Sequence, residues 1–202
     1  LFFILTMAPE EKRIPIEDKQ RRLETLYRKE LCKMLCNELK ISYQPKESIN
    51  YLSWFRLYSP EERYLRYLRD KKVSTKKYYT FINNFFKKTF GDEGKFAEKE
   101  YLNWKQIIDL HSRNHIIGSH SHYHIGDKRD FTKSINLIET KIKKKVTYIS
   151  YPNGIKNISD KDLKKLDIKI AYTTAVEEDI WPFCVQRVDC NQLNSKFFTT
   201  KE

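Results

Sequence analysis

From residue 103 onward the chain switches repeatedly between two hydrophobic periods, and this alternation limits the fold more than any other feature. Asn103 and Gln106 make an N-cap pair for a helix running to Ser112. Residues 115–118 form a short apolar strand, and residues 130–144 place Ile135, Ile138 and Ile142 on one helical face. Residues 146–151 form a second strand, closed by Pro152-Asn153-Gly154. Ser159 with Asp162 opens a further helix to residue 166, and residues 168–173 and 185–188 are strands. Helix and strand in alternation predict an α/β fold with parallel strands.

Upstream, residues 1–5 read as a buried strand, and the stretch over 10–98 is helical, aromatic and basic. It is expected to hold one helix over 16–38, with Leu23, Leu26, Leu31 and Leu35 at mixed spacings. A second runs over 60–70, opened by Pro60 and two glutamates. A third runs over 74–90, carrying Tyr78, Phe81, Ile82, Phe85 and Phe86 and ended by Gly91 and Gly94. The expected organisation is a strand segment over 1–9, a helical insertion or cap over 10–98, and an α/β portion over 99–202. The aromatic residues Trp54, Tyr64, Tyr67, Tyr78 and Tyr79 can stack on sugars, but packing of a helical cap is the favoured reading.

Composition removes several classes. Of 202 residues 40% are hydrophobic, enough for a core, and no apolar run approaches the ~18–20 residues of a membrane span. Lys and Arg number 39 against 27 Asp and Glu, a net charge of +12. The lysines are scattered, densest at Lys141 and Lys143 to Lys145, and no nucleic-acid-binding signature accompanies them, so no nucleic-acid partner is expected. Cys32, Cys36, Cys184 and Cys190 lack paired C-x-x-C spacing and read as small buried hydrophobes in a reducing compartment. Residues 1–7 are apolar but lack a basic lead and a cleavage site, and the chain starts with Leu. It is expected to be a fragment beginning inside a folded element. Any leader would precede Leu1, so the compartment is left open, with the cytoplasm favoured; the oligomeric state is not legible.

The histidines His111, His115, His120, His122 and His124 fall within one 14-residue window. His111 and His115 read as surface or helix C-terminal residues. His120 and His124 follow a strand and are four apart, so one helical turn can aim both imidazoles at one point. Two neutral imidazoles suit Zn²⁺ or a similar divalent ion, and Ser121 can orient a ligand. Taken alone, the segment fits a metal site and a merely histidine-rich loop equally well.

Several segments, in order, resemble the polysaccharide deacetylases, the chitooligosaccharide deacetylase-like family. Tyr101-Leu102-Asn103-Trp104-Lys105-Gln106-Ile107 is similar to the helix before that family's metal motif. Gly118-Ser119-His120-Ser121-His122-Tyr123-His124 is similar to Gly-x-His-Ser/Thr-x-x-His. Tyr151-Pro152-Asn153-Gly154 resembles Tyr-Pro-x-Gly, and Val185-Gln186-Arg187-Val188-Asp189 resembles Pro-Arg-Ile-Asp. Coverage is about residues 101–191, roughly half the chain. Residues 1–4 also resemble the second barrel strand.

The resemblance implies a distorted (β/α) barrel, incomplete at its N-terminus, and metal-dependent removal of acetyl groups from an N-acetylated sugar or polysaccharide. It makes His120 and His124 ligands of a divalent metal, Zn by preference. Tyr151, Pro152 and Gly154 become a substrate wall, and the Asn153 backbone N–H an oxyanion contact. Arg187 would orient the base by an ion pair; its alternative is a surface arginine. The family's Thr-Phe-Asp-Asp segment, source of the base and third ligand, is absent, and its late His motif has no clear counterpart after Asp189. The chain by itself is therefore expected to have little or no deacetylase activity. The alternative is a non-catalytic relative that binds sugar or protein.

Overall fold

The structure is a computed structural model and describes residues 1–53, 58–174 and 181–187. The chain divides into two compact units. One comprises residues 1–13 together with residue 97 onward, the other Ile14–Phe96. Val188, Asp189, Cys190 and Trp54 lie outside the described residues.

In the first unit β1 (Phe2–Ile4) leads into a short helix α1 (Met7–Glu11). After the second unit come α7 (Trp104–Ser112), β2 (Ile117–Ser119), α8 (Lys128–Ile142), β3 (Tyr148–Ser150), α9 (Asp160–Lys165), β4 (Ile170–Thr173) and β5 (Val185–Gln186). Among the described residues five strands form one sheet in the order β1-β2-β3-β4-β5, every neighbouring pair parallel. The predicted α/β class with parallel strands is therefore found. The strands are shorter than their apolar patterns suggest, because their flanking residues turn into loops.

The helix boundaries follow cap chemistry. Asn103 and Gln106 form a reciprocal capping box that opens α7, and Ser159 accepts from the Asp162 N–H to open α9. α8 begins two residues earlier than its apolar period suggests. Asp127 is the cap there, its carboxylate accepting from the Asp130 N–H at 2.8 Å. The core of this unit sets Ile107, Phe131, Ile138, Ile149, Leu163 and Ala171 together, all fully buried. Each such large aliphatic side chain contributes about 1.5–3 kcal/mol on burial.

The rings of Phe3 on β1 and Tyr172 on β4 meet on one face of the sheet, their centroids 5.4 Å apart. Gly118 on β2 makes the meeting possible. A Cβ there would lie 2.8 Å from the Phe3 ring and 2.8 Å from the Tyr148 carbonyl oxygen. The guanidinium of Arg187 lies 5.6 Å from the same Phe3 ring. β1 and β5 are the two edges of the sheet among the described residues.

The second unit is helical: α2 (Ile16–Tyr27), α3 (Lys29–Glu38), α4 (Pro60–Tyr67), continued as a π-turn over Leu68–Lys72, and α5 (Thr75–Phe90). The single helix expected over 16–38 is two. Arg28 takes φ 43°, ψ −115° and resets the helical phase. Leu23, Leu31 and Leu35 are fully buried, while Leu26, just before the break, is 58% exposed. Gly91 ends α5 at φ 80°, but Gly94 lies inside the next helix, α6 (Glu93–Glu100). Tyr64 and Tyr78 are core residues, as cap packing requires, while Tyr79 is 39% exposed. Cys32 and Cys36 are buried thiols, and burial pushes Cys32 up to about 12, so neither is a reactive nucleophile.

Candidate functional site

Three segments from the sequence reading each begin immediately after a strand. His120 follows β2, Tyr151 follows β3 and Arg187 follows β5. In a parallel sheet these positions share one edge, the carboxyl edge, where α/β folds collect ligand-binding loops.

His120 is fixed by β3. Its Nδ1 lies 3.0 Å from the Ser150 carbonyl oxygen and 2.7 Å from the Ser150 hydroxyl. A carbonyl only accepts, so Nδ1 carries the proton, and Nε2 is the nitrogen with the coordinating lone pair. The His120 and His124 ring centroids are 5.1 Å apart, at 63°. Two imidazoles on one tetrahedral ion, with Zn–N near 2.0–2.1 Å, put their centroids about 5 Å apart. The 5.1 Å separation of His120 and His124 matches that spacing. Among the described residues no group of three or more His, Cys, Asp or Glu stands ready to hold a metal.

The path between the two rings is not the helical turn that their spacing suggests. Ser121 and His124 sit at φ 67° and 64°, in the left-handed region, so the segment folds back as a loop. The Ser121 hydroxyl accepts from the His124 N–H at 3.1 Å. The loop is gathered by one carboxylate. Asp130 accepts from the N–H groups of His122 (3.1 Å) and Tyr123 (2.6 Å) with one oxygen, and from those of Ile125 (2.9 Å) and Gly126 (2.9 Å) with the other. Burial alone would raise this carboxyl, but the backbone donors Gly126, Tyr123 and Ile125 outweigh it and hold it below the ordinary carboxylate value. Sequence reasoning missed Asp130, since an acid in a helix's first turn is ordinary capping chemistry.

His122, at an x position of the Gly-x-His-Ser/Thr-x-x-His pattern, is fully buried. Its Nε2 lies 2.8 Å from Glu11 Oε1, and its Nδ1 lies 2.8 Å from the Thr6 hydroxyl. A carboxylate only accepts, so Nε2 carries the proton, and in the neutral ring Nδ1 accepts from Thr6. Glu11 also takes Lys133 Nζ at 2.8 Å and the Tyr123 hydroxyl at 3.0 Å. This network ties α1 to the histidine loop. Burial alone would raise the Glu11 carboxyl, but hydrogen bonds from Lys133, His122 and Tyr123 bring it down to about 2.

A carboxyl lowered on folding stabilises the protein above its unfolded value and loses that contribution as pH falls through the folded one. The Glu11 clamp is thus expected to be intact above about pH 5 and lost between about pH 4.5 and pH 2. Urea unfolding at pH 6 and pH 3 checks it. Glu11→Gln should be less stable than the wild type at pH 6, and the gap should shrink at pH 3. A gap unchanged with pH would show that Glu11 contributes no such linkage.

The Tyr151-Pro152-Asn153-Gly154 segment lies beside the histidine loop. A Cβ on Gly126 would come within 2.9 Å of the Pro152 ring, and Gly126 itself sits at φ 76°. Asn153 is exposed at the tip of the turn at φ 54°. It is three residues from Ser150, which touches His120, and three residues of chain span at most about 11 Å. The Gly154 carbonyl oxygen accepts from the Thr173 hydroxyl at 2.7 Å, which pins the turn to β4. Tyr151 departs from its expected role as a substrate wall. It is fully buried, its hydroxyl donating to the Phe183 carbonyl oxygen at 2.7 Å, so its side chain belongs to the core. Pro152 and Gly154 are also buried. Arg187 stacks near Phe3, and no carboxylate pairs with it among the described residues.

No protein-family model, no curated protein and no solved structure matches this chain. Among the described residues no helix is long and apolar enough to cross a membrane.

Proposed function

We propose that the first unit is part of a distorted (β/α) barrel that removes acetyl groups from an N-acetylated sugar or polysaccharide with a divalent metal. The observation that carries this reading is the His120–His124 pair: two imidazoles at a shared-ion spacing, one with its tautomer set by Ser150. The sequential parallel order of the sheet supports the barrel, since a singly wound sheet continues into closure rather than reversing. His120 and His124 would hold the ion, Zn²⁺ by preference. Such an ion polarises an acetyl carbonyl and lowers the pKa of bound water.

The chain's own residues supply the rest. Ser150 keeps the His120 ring in one orientation, and Asp130 keeps the loop in one shape. The Asn153 backbone N–H, at an exposed turn beside that loop, would donate to the oxyanion as the carbonyl carbon becomes tetrahedral. Pro152 and Gly154 hold that turn. Arg187, on the same edge of the sheet, would orient a carboxylate base.

The test is acetate release from N-acetylglucosamine oligomers with added Zn²⁺ or Co²⁺, on this chain and on a polypeptide extended ahead of Leu1. Loss of a positioned base costs typically ~10²–10⁴-fold in rate, and this chain is expected to be slower by that factor. Comparable turnover from both would place the base within residues 1–202. Zn²⁺ and sugar binding without turnover in either would favour a non-catalytic sugar-binding relative.

A further inference from the structure

The second unit carries a groove of about 1080 Å³ between the C-terminal end of α3 and one face of α5. On α5 its lining runs from Ser74 through Lys77, Phe81 and Phe85 to Lys88. These positions recur at helical spacing on one face, over about 21 Å of axis. Met34 and Leu39 face them from α3 and the residue after it, so the floor is apolar. α2 packs against both helices.

The rim is cationic. Lys40, Lys77 and Lys88 are exposed, and no carboxylate pairs with any of them among the described residues. Away from the groove, Lys72 pairs with Glu47 and Lys19 with Glu93. Glu38 is the acidic residue in the lining, at the Lys40 end. The α5 side is therefore the more positive, with Lys77 and Lys88 three turns apart at either end of the aromatic floor.

We propose that this groove docks an acidic, amphipathic helical segment of a partner protein. An apolar floor flanked by unpaired cations complements a helix with apolar anchors at i, i+3, i+4 and i+7 and carboxylates beside them. A nucleic acid fits less well. No arginine lines the groove, Phe85 is buried, and one face of Phe81 is stacked on it, the centroids 5.8 Å apart at 18°. Bases need open ring faces for stacking. This inference does not rest on the deacetylase reading.

The experiment is selection of 16-residue peptides from a random display library on the full chain, with affinities of enriched peptides measured by fluorescence anisotropy. A 15-nucleotide uridylate RNA is measured alongside. Enriched peptides are expected to be acidic with helical apolar periodicity. Their Kd should rise at least 10-fold with Lys77→Glu/Lys88→Glu and at least 10-fold with Phe81→Ser. Circular dichroism checks that both variants stay folded, and Lys33→Glu, outside the groove, should leave the Kd unchanged. Peptides without acidic bias, an unchanged Kd in the groove variants, no enrichment, or RNA bound more tightly than any peptide would each overturn the proposal.

Discussion

A His120→Ala/His124→Ala double variant is expected to lose the divalent metal that the intact protein takes up. Two imidazoles with centroids 5.1 Å apart, His120 held by Ser150, are the donors brought together by the loop after β2. His111 lies in the last turn of α7, and His115 packs its ring against Phe2, 5.3 Å away, so neither belongs to that pair. Elemental analysis after equilibration with Zn²⁺ and gel filtration reads the stoichiometry directly. Thermal unfolding gives a second readout. A ligand that binds only the folded state stabilises it by RT ln(1 + [L]/Kd), about 2.7 kcal/mol at a hundredfold excess over Kd. The wild type should gain melting temperature with Zn²⁺, and the double variant should not. Equal metal content in the two proteins would remove the metal site and, with it, the deacetylase reading.

Asp130→Ala is expected to cost the first unit on the order of 3–5 kcal/mol and to weaken Zn²⁺ binding. Four backbone N–H groups converge on one carboxylate that is 4% exposed. Each buried donor left unmade costs about 1–3 kcal/mol, and partial relaxation of the loop recovers some of that sum. Ser121 and His124 in the left-handed region would then lose the contacts that hold them there. Asn retains one acceptor oxygen, so Asp130→Asn should fall between the wild type and Ala. Urea midpoints at pH 7 measure the stability, and a Zn²⁺ titration of the still-folded fraction measures the site. An Asp130→Ala loss below about 1 kcal/mol would mean that the loop holds its shape by other contacts.

Much of the fold was legible because local rules and the fold agree. Ser59, Ser74, Asn103 and Ser159 cap helices where cap chemistry puts them. The apolar runs before residues 120 and 151 became parallel strands because a segment buried on both faces has no polar alternation to offer. The break at Arg28 was not legible. No glycine or proline marks it, and packing of α2 and α3 overrides the helical propensity of the residues around it.

The candidate site divides in the same way. Sequence by itself determined that a histidine segment follows one strand and that Pro152-Asn153-Gly154 turns after the next, because strand ends and turn residues are local properties. Only the tertiary structure decided how those pieces are held. Asp130 reaches back four to eight residues to collect the loop amides, and Glu11 and Thr6 reach His122 across more than 110 residues. It also turned Tyr151 from a groove residue into a core one, through a bond to Phe183 that is 32 residues away. A hydrogen bond needs a donor and an acceptor about 3 Å apart, and that separation is set by how the whole chain packs rather than by spacing along it.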